Sequence, residues 1–201
     1  IIETDNVVVT PHLAASTEEA QIKIAEEMSG VIIDYFTKGL IRNAVNVPTV
    51  DWETYKKLVP YIDLSDKIGA FQGQTIDGGI SEIEITYQGT ISTLNTSSLT
   101  VAYLKGILSQ ILDLKVNFVN APSVAKERGI KIKEALIRDC SDYSGLNIAK
   151  VKTSKGEYSI SGTLFDKNQR IIEINGLAVD VMPSGNKIFI TNTDKPGVIG
   201  K

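Results

Sequence analysis

The sequence predicts an α+β fold, with helices packed on a mainly antiparallel sheet. Three observations lead there. Apolar residues recur at helical spacing through much of the chain before Ile130. From Ile130 onward the text turns strand-rich, with stretches near 130–138, 146–153, 157–165, 169–175, 177–182 and 187–192. Between them, Ile83, Ile85 and Tyr87 alternate with Glu82, Glu84, Thr86 and Gln88, the period of a strand with one wet face.

Taken in order, Val7–Thr10 is a short β-branched run that Pro11 ends, as suits a buried strand. Ser16 and Thr17 then supply an N-cap, with Glu18 and Glu19 favourable to the helix dipole. Ile24, Met28, Val31, Ile32, Tyr35 and Phe36 form a wide helical stripe up to Gly39, and it calls for a partner surface larger than the preceding residues offer. Val47-Pro48-Thr49 reads as a linker. Asp51 caps a helix carrying Trp52, Tyr55, Leu58 and Val59, the two aromatics serving core or interface. Pro60 interrupts it, giving either a kink or a fresh helix to about Gln72.

Gly78-Gly79 marks a turn before the strand Ser81–Gly89. Asn95-Thr96-Ser97 opens a helix whose Leu99, Ala102, Tyr103, Ile107 and Ile111 share one broad face. Val116–Val119 reads as strand-like, and Ala121-Pro122 to Arg128-Gly129 as a compact helix with Pro in its first turn and Gly at its stop. Asp166-Lys167-Asn168 is a hairpin loop, and a boundary falls near Pro183-Ser184-Gly185-Asn186.

Composition narrows the functions. At 42% hydrophobic and 22% charged, the 201 residues belong with globular chains rather than disordered ones. One cysteine, Cys140, and one histidine, His12, exclude a disulfide framework and Cys- or His-rich metal sites, and fit a reducing cytoplasm. Asp139 and Asp142 disfavour the Cys140 thiolate. No apolar run is long enough to span a bilayer. The charge is uneven: residues 1–120 hold 8 Lys/Arg against 15 Asp/Glu, and residues 121–201 hold 13 against 9. That switch can mark an anion-binding region. The basic residues stand singly among acids without interleaved aromatics, so nucleic acid is not expected as a partner.

Three constellations carry chemistry. His12 follows a predicted strand and precedes a helix, where an imidazole can serve as acid or base. A helix starting at Pro122 points free N–H groups towards Asn120, so Asn117 and Asn120 either cap the helix or bind a ligand. Lys126, Arg128, Lys131, Lys133 and Arg138 are the cations nearby that can meet an anion. Finally, Ile188–Ile190 leads into Asn192-Thr193-Asp194-Lys195-Pro196-Gly197, with Asp194 able to cap and Pro196 suited to a first helical turn. No G-x-G-x-x-G occurs: Gly73, Gly78 and Gly79 lack its spacing and a flanking βα unit.

These motifs together resemble the long type of D-3-phosphoglycerate dehydrogenase. Carrying the resemblance are Val7-Val8-Val9-Thr10-Pro11-His12-Leu13-Ala14-Ala15-Ser16-Thr17, Asn43-Ala44-Val45-Asn46-Val47-Pro48, the run from Asn117 to Ile130, and the closing Asn192–Lys201. It implies three parts: residues 1–46 as the end of a catalytic region, 47–184 as an intervening effector domain, and 185–201 as the opening of an ACT domain. By the same resemblance His12 is the proton-exchanging histidine, and Ala14 stands where the family has a cofactor-side glycine.

NAD is implied as the cofactor of the intact enzyme, with none expected on these residues alone. The implied partners are 3-phosphoglycerate or phosphate at the intervening domain, and serine at the ACT loop through Asn192 and Asp194. Further copies of the chain are implied as well. The fragment is expected to be regulatory and inactive by itself. A structural linker that binds no effector is the alternative.

Overall fold

The computed structural model describes residues 6–7, 15–38, 52–140, 142–166 and 168–190, apart from the side chains of Trp52, Glu53 and Tyr55. The strand expected over Val7–Thr10 lies outside them, Val7 excepted. The chain divides into two compact units, Ile1–Lys57 and Leu58–Lys201.

In the first unit, α1 runs Glu18–Lys38. Thr17 caps it, its Oγ1 accepting from the Ala20 N–H at 3.2 Å. The apolar stripe keeps an outward aspect: Met28 is 51% exposed and Phe36 80%.

The helix α2 (Trp52–Thr75), which enters the second unit at Leu58, carries Pro60 inside a single helix, so no second helix begins there. Proline removes a helical N–H and frees a carbonyl of the preceding turn. The carbonyl of Pro60 itself accepts from Gln169 Nε2 at 3.1 Å. Next come β1 (Ile80–Gly89), a 3-10 turn at Thr90–Thr93 and α3 (Ser97–Ile111). Asn95 Oδ1 receives the Ser97 N–H at 3.1 Å. Residues 116–119 make no strand but the loop and turn that lead into α4 (Ala121–Glu127). Five strands follow: β2 (Lys131–Ile137), β3 (Gly145–Thr153), β4 (Gly156–Phe165), β5 (Asn168–Ile174) and β6 (Leu177–Val181). Residues 187–190, expected to open another strand, form none; Phe189 instead meets Phe71 of α2 edge to face, with ring centroids 5.8 Å apart.

The six strands form one sheet in the order β2-β1-β3-β4-β5-β6. Only β1 and β2 pair in parallel, joined by the long crossover through α3 and α4; every other neighbour is antiparallel. Alternation then decides which side chains face the helices. Ile83, Ile85 and Tyr87 of β1 stand in register with Val151, Ala149 and Asn147 of β3, all buried. Leu58, Leu64 and Ile68 of α2, with Leu99, Ala102, Tyr103 and Ile107 of α3, complete the core. Each fully buried Leu or Ile contributes about 1.5–3 kcal/mol relative to its exposed state.

The two helices approach backbone to backbone. A Cβ on Gly69 would stand 2.9 Å from the Ile107 nitrogen, one on Gly106 2.9 Å from the Ala70 nitrogen, and one on Gly73 2.7 Å from the Ile107 oxygen. Buried polar groups inside this layer pair with one another. Tyr103 donates to Gln72 Oε1 at 2.6 Å, and the Tyr87 hydroxyl lies 2.9 Å from Thr100 Oγ1. Burial pushes both phenols up, so each stays neutral and able to donate.

On the other face, Glu82 receives Lys133 of β2 at 2.7 Å and Lys152 of β3 at 2.9 Å. These bonds, that of Lys133 first, hold its carboxyl at about 2 against an ordinary 4.5. A depressed carboxyl stabilises fully above its unfolded value and loses that contribution as pH falls through the folded one. The expected outcome for Glu82→Gln is lower stability than the parent at neutral pH, with the two denaturation curves converging as pH falls from about 4.5 towards 2. Urea titrations across that window check it.

Candidate functional site

The region where α4 enters β2 gathers most of the cations singled out in the sequence. Its entry loop is held by two asparagines. Asn117 Oδ1 accepts from the N–H of Val119 at 2.9 Å and of Asn120 at 3.0 Å. Asn120 Oδ1 accepts from the Asn117 N–H at 2.7 Å, and its Nδ2 donates to the Lys115 carbonyl at 3.0 Å. Both side chains bind the loop itself, and neither caps α4, where Asn120 makes no side-chain cap bond. Of the two roles the sequence leaves open, helix capping is not realised; the side chains brace the loop instead.

The exit of α4 is a Schellman-type stop. Gly129, at φ 71, donates to the Lys126 carbonyl at 3.0 Å, and the Ile130 N–H reaches the Ala125 carbonyl at 3.0 Å. This turn leaves Lys126 and Arg128 exposed and delivers Lys131 as the first residue of β2, exposed as well. Lys131 and Lys133 share the face of β2 that points away from the helices. Lys133 is already paired with Glu82. Arg138 lies at the opposite end of that strand, about 23 Å from Lys131 at the usual rise per residue. Lys126, Arg128, Lys131 and Lys133 are thus gathered at one end, and Arg138 stands apart.

The sequence reading missed the rest of this surface. Glu82 pairs in register with Lys131 on one side and Lys152 on the other; Glu84 does the same with Lys133 and Lys150. Lys150 and Lys152 alternate within β3 as Lys131 and Lys133 do within β2, and that shared period was the available signal. The result is two acids of the central strand flanked by four lysines, with Glu157 beside Lys152. With Lys126 and Arg128 at the α4 exit, cation excess remains at this end of β2.

His12, Ala14, Asn192 and Asp194 lie outside the described residues. Within the described residues nothing cradles a pyrophosphate. Gly73 packs on α3, while Gly78 sits against Ser154 and Lys155 in the turn before β1. These glycines do not fit a dinucleotide, and no groups of His, Cys, Asp and Glu among the described residues suit a metal ion. Cys140 is half-buried and unbridged. No described helix is long and apolar enough to cross a membrane.

The described residues thus form an α+β domain with a braced cationic margin. The D-3-phosphoglycerate dehydrogenase intervening domain family matches residues 57–175, and the chain belongs to that family. It is 37% identical over 202 residues to the D-3-phosphoglycerate dehydrogenase of Archaeoglobus fulgidus, covering 100% of this chain and 38% of that protein. Against the Bacillus subtilis enzyme of the same name it is 36% identical over 203 residues, again 100% and 38%. For that of Synechocystis sp. the identity is 38% over 201 residues, 99% of this chain and 36% of the relative. The chain therefore spans less than two fifths of the length of these relatives.

The asparagine brace gives a direct prediction. Asn120→Ala removes two hydrogen bonds and is expected to lower stability by about 1–2 kcal/mol, with faster amide exchange at Asn117 as the second readout.

Proposed function

We propose that this chain is the regulatory part of a D-3-phosphoglycerate dehydrogenase, an oxidoreductase that converts 3-phosphoglycerate to 3-phosphohydroxypyruvate on the way to serine. NAD, when bound to the whole enzyme, accepts the hydride. On this reading His12 exchanges the proton of the substrate hydroxyl, and Ala14 lies on the cofactor side. Both belong to residues 1–46, the end of the catalytic region. Residues 47–184 are the effector domain, and residues 185–201 open an ACT domain whose Asn192 and Asp194 meet serine. The name shared by relatives along the whole chain supports this assignment, as does the match to residues 57–175. The whole protein works in the cytoplasm as a homo-oligomer, with the exposed stripe of α1 and the open sheet face available for contacts.

The observation that carries the effector role is the cation excess where α4 enters β2. Lys126, Arg128 and Lys131 have no carboxylate partner among the described residues, while Lys133 adds its charge beside Glu82. A phosphate or 3-phosphoglycerate there gains charge-assisted hydrogen bonds from groups that the strand and the Schellman turn already position. Arg138 takes no part in the same contact, given its distance along the strand.

The test is a melting curve of the 201-residue chain in phosphate and in chloride at matched ionic strength. Phosphate at a few times its dissociation constant is expected to raise the melting temperature by about 2–4 °C. Arg128→Ala combined with Lys131→Ala is expected to abolish the rise. A parent protein that does not respond leaves the structural-linker reading standing.

A further inference from the structure

The strongest unassigned feature is a cleft of about 370 Å³ on the opposite side of the sheet from the lysine margin. Its wall is one stripe of α2: Lys67, Ala70, Phe71, Gln74 and Thr75, spaced three and four apart. Its floor is Ile171 of β5 and Val181 of β6, which face each other in register. After β6 the chain turns at Pro183-Ser184-Gly185, with the Ser184 N–H on the Met182 carbonyl at 2.8 Å and Gly185 at φ 71. That left-handed residue returns the segment along α2, where Phe189 closes on Phe71 and Lys187 reaches the rim.

Two ammonium groups stand over this apolar floor, and they differ. Lys67 donates to Asp63 Oδ2 and to Gln169 Oε1, both at 2.7 Å. An ammonium has three N–H bonds, so Lys67 is fixed in place with one left over, and Asp63 balances its charge. Lys187 has no carboxylate partner among the described residues. The cleft thus presents a single uncompensated positive charge, one anchored donor and an aromatic–aliphatic lining. No acidic side chain lines it.

We infer that this cleft binds a small organic monocarboxylate with one aromatic or branched aliphatic body. The volume suits such a molecule, because small-ligand clefts begin near 300 Å³. The apolar body lies on Ile171, Val181 and the Phe71–Phe189 pair, and the carboxylate meets Lys187 and the free N–H of Lys67. The same inventory selects against neighbouring classes. A zwitterionic amino acid brings an ammonium for which the cleft has no carboxylate. A phosphate dianion brings two charges against one and leaves the apolar floor unused.

The probe is 3-phenylpropanoate, titrated into the isotopically labelled 201-residue chain and followed by amide shifts, beside 3-phenylpropanamide and L-phenylalanine at matched ionic strength. Expected are saturable shifts confined to α2, β5–β6 and residues 182–189, with the amide and the amino acid each weaker by about tenfold. Lys187→Ala is expected to weaken the acid by about the same factor and to leave the melting temperature and its response to phosphate unchanged. Ala70→Leu, which fills the cleft from the helix side, abolishes the shifts while the chain stays folded. The inference is overturned if the acid fails to saturate up to millimolar concentration. It is equally overturned if the amide or L-phenylalanine binds as tightly, if the shifts map elsewhere, or if Lys187→Ala binds like the parent. Because the phosphate response is read at α4 and β2, either site can fail without the other.

Discussion

The second unit depends on the approach of α2 and α3 at Gly69, Gly73 and Gly106. Three glycines inside helices cost about 1 kcal/mol each in propensity, so a helix pair carries them only where their lack of a side chain is used. Here a Cβ at any of the three would meet backbone of the other helix at under 3 Å. The close crossing lets Leu64 and Ile68 of α2, and Tyr103 and Ile107 of α3, reach the same sheet. Even the sheet yields to this packing: a Cβ on Gly162 of β4 would collide with Ile68 Cδ1 at 2.7 Å. An ion pair between Asp66 and Lys105 at 2.6 Å spans the two helices. Lys105 also lies 5.4 Å from the Phe118 ring centroid, tying the crossing to the loop before α4.

With one face of the sheet committed to the helices, strand alternation assigns the other to charge. The parallel partner β2 sits at an edge and relies on the central strand for its place. Glu82 binds Lys133 of β2 on one side and Lys152 of β3 on the other, so one acid of the central strand ties both neighbours. The same ladder that secures the edge also gathers positive charge beside the Schellman turn of α4. Glu82 neutralises part of the charge, and Lys126, Arg128 and Lys131 supply the excess.

Elements with strong periodicity were legible in the sequence. Of the predicted α3 stripe, Leu99, Ala102, Tyr103 and Ile107 are buried while Ile111, at the helix end, is exposed, and the alternation in β1 separates buried Ile83, Ile85 and Tyr87 from their polar neighbours. Pro60 leaves a kink or a fresh helix open in the sequence; the second does not occur, since one helix runs through it, and Gln169 binds the Pro60 carbonyl. Val116–Val119 has strand composition, but hydrogen bonds from Asn117 and Asn120 turn it. Residues 187–190 have strand composition too, and there Phe189 finds a ring on α2 rather than a strand. The cations were visible as residue types. Their convergence was not, because pairing of β1 with both β2 and β3 is a long-range fact. His12, Ala14, Asn192 and Asp194 are known from motif alone.

The glycine crossing makes a claim about sign that propensity alone contradicts. Alanine in place of glycine within a helix adds about 1 kcal/mol when nothing else changes, and Gly30 in α1, with nothing within 4 Å of its would-be Cβ, is such a position. At Gly106 the added methyl would meet the backbone of Asp66 and Ala70. Urea denaturation of Gly106→Ala, followed by tyrosine fluorescence of the second unit, is the most direct measurement. A loss of about 1–3 kcal/mol, the usual scale of overpacking, is predicted. A gain of stability like that expected for Gly30→Ala would contradict the close crossing and the fold built on it.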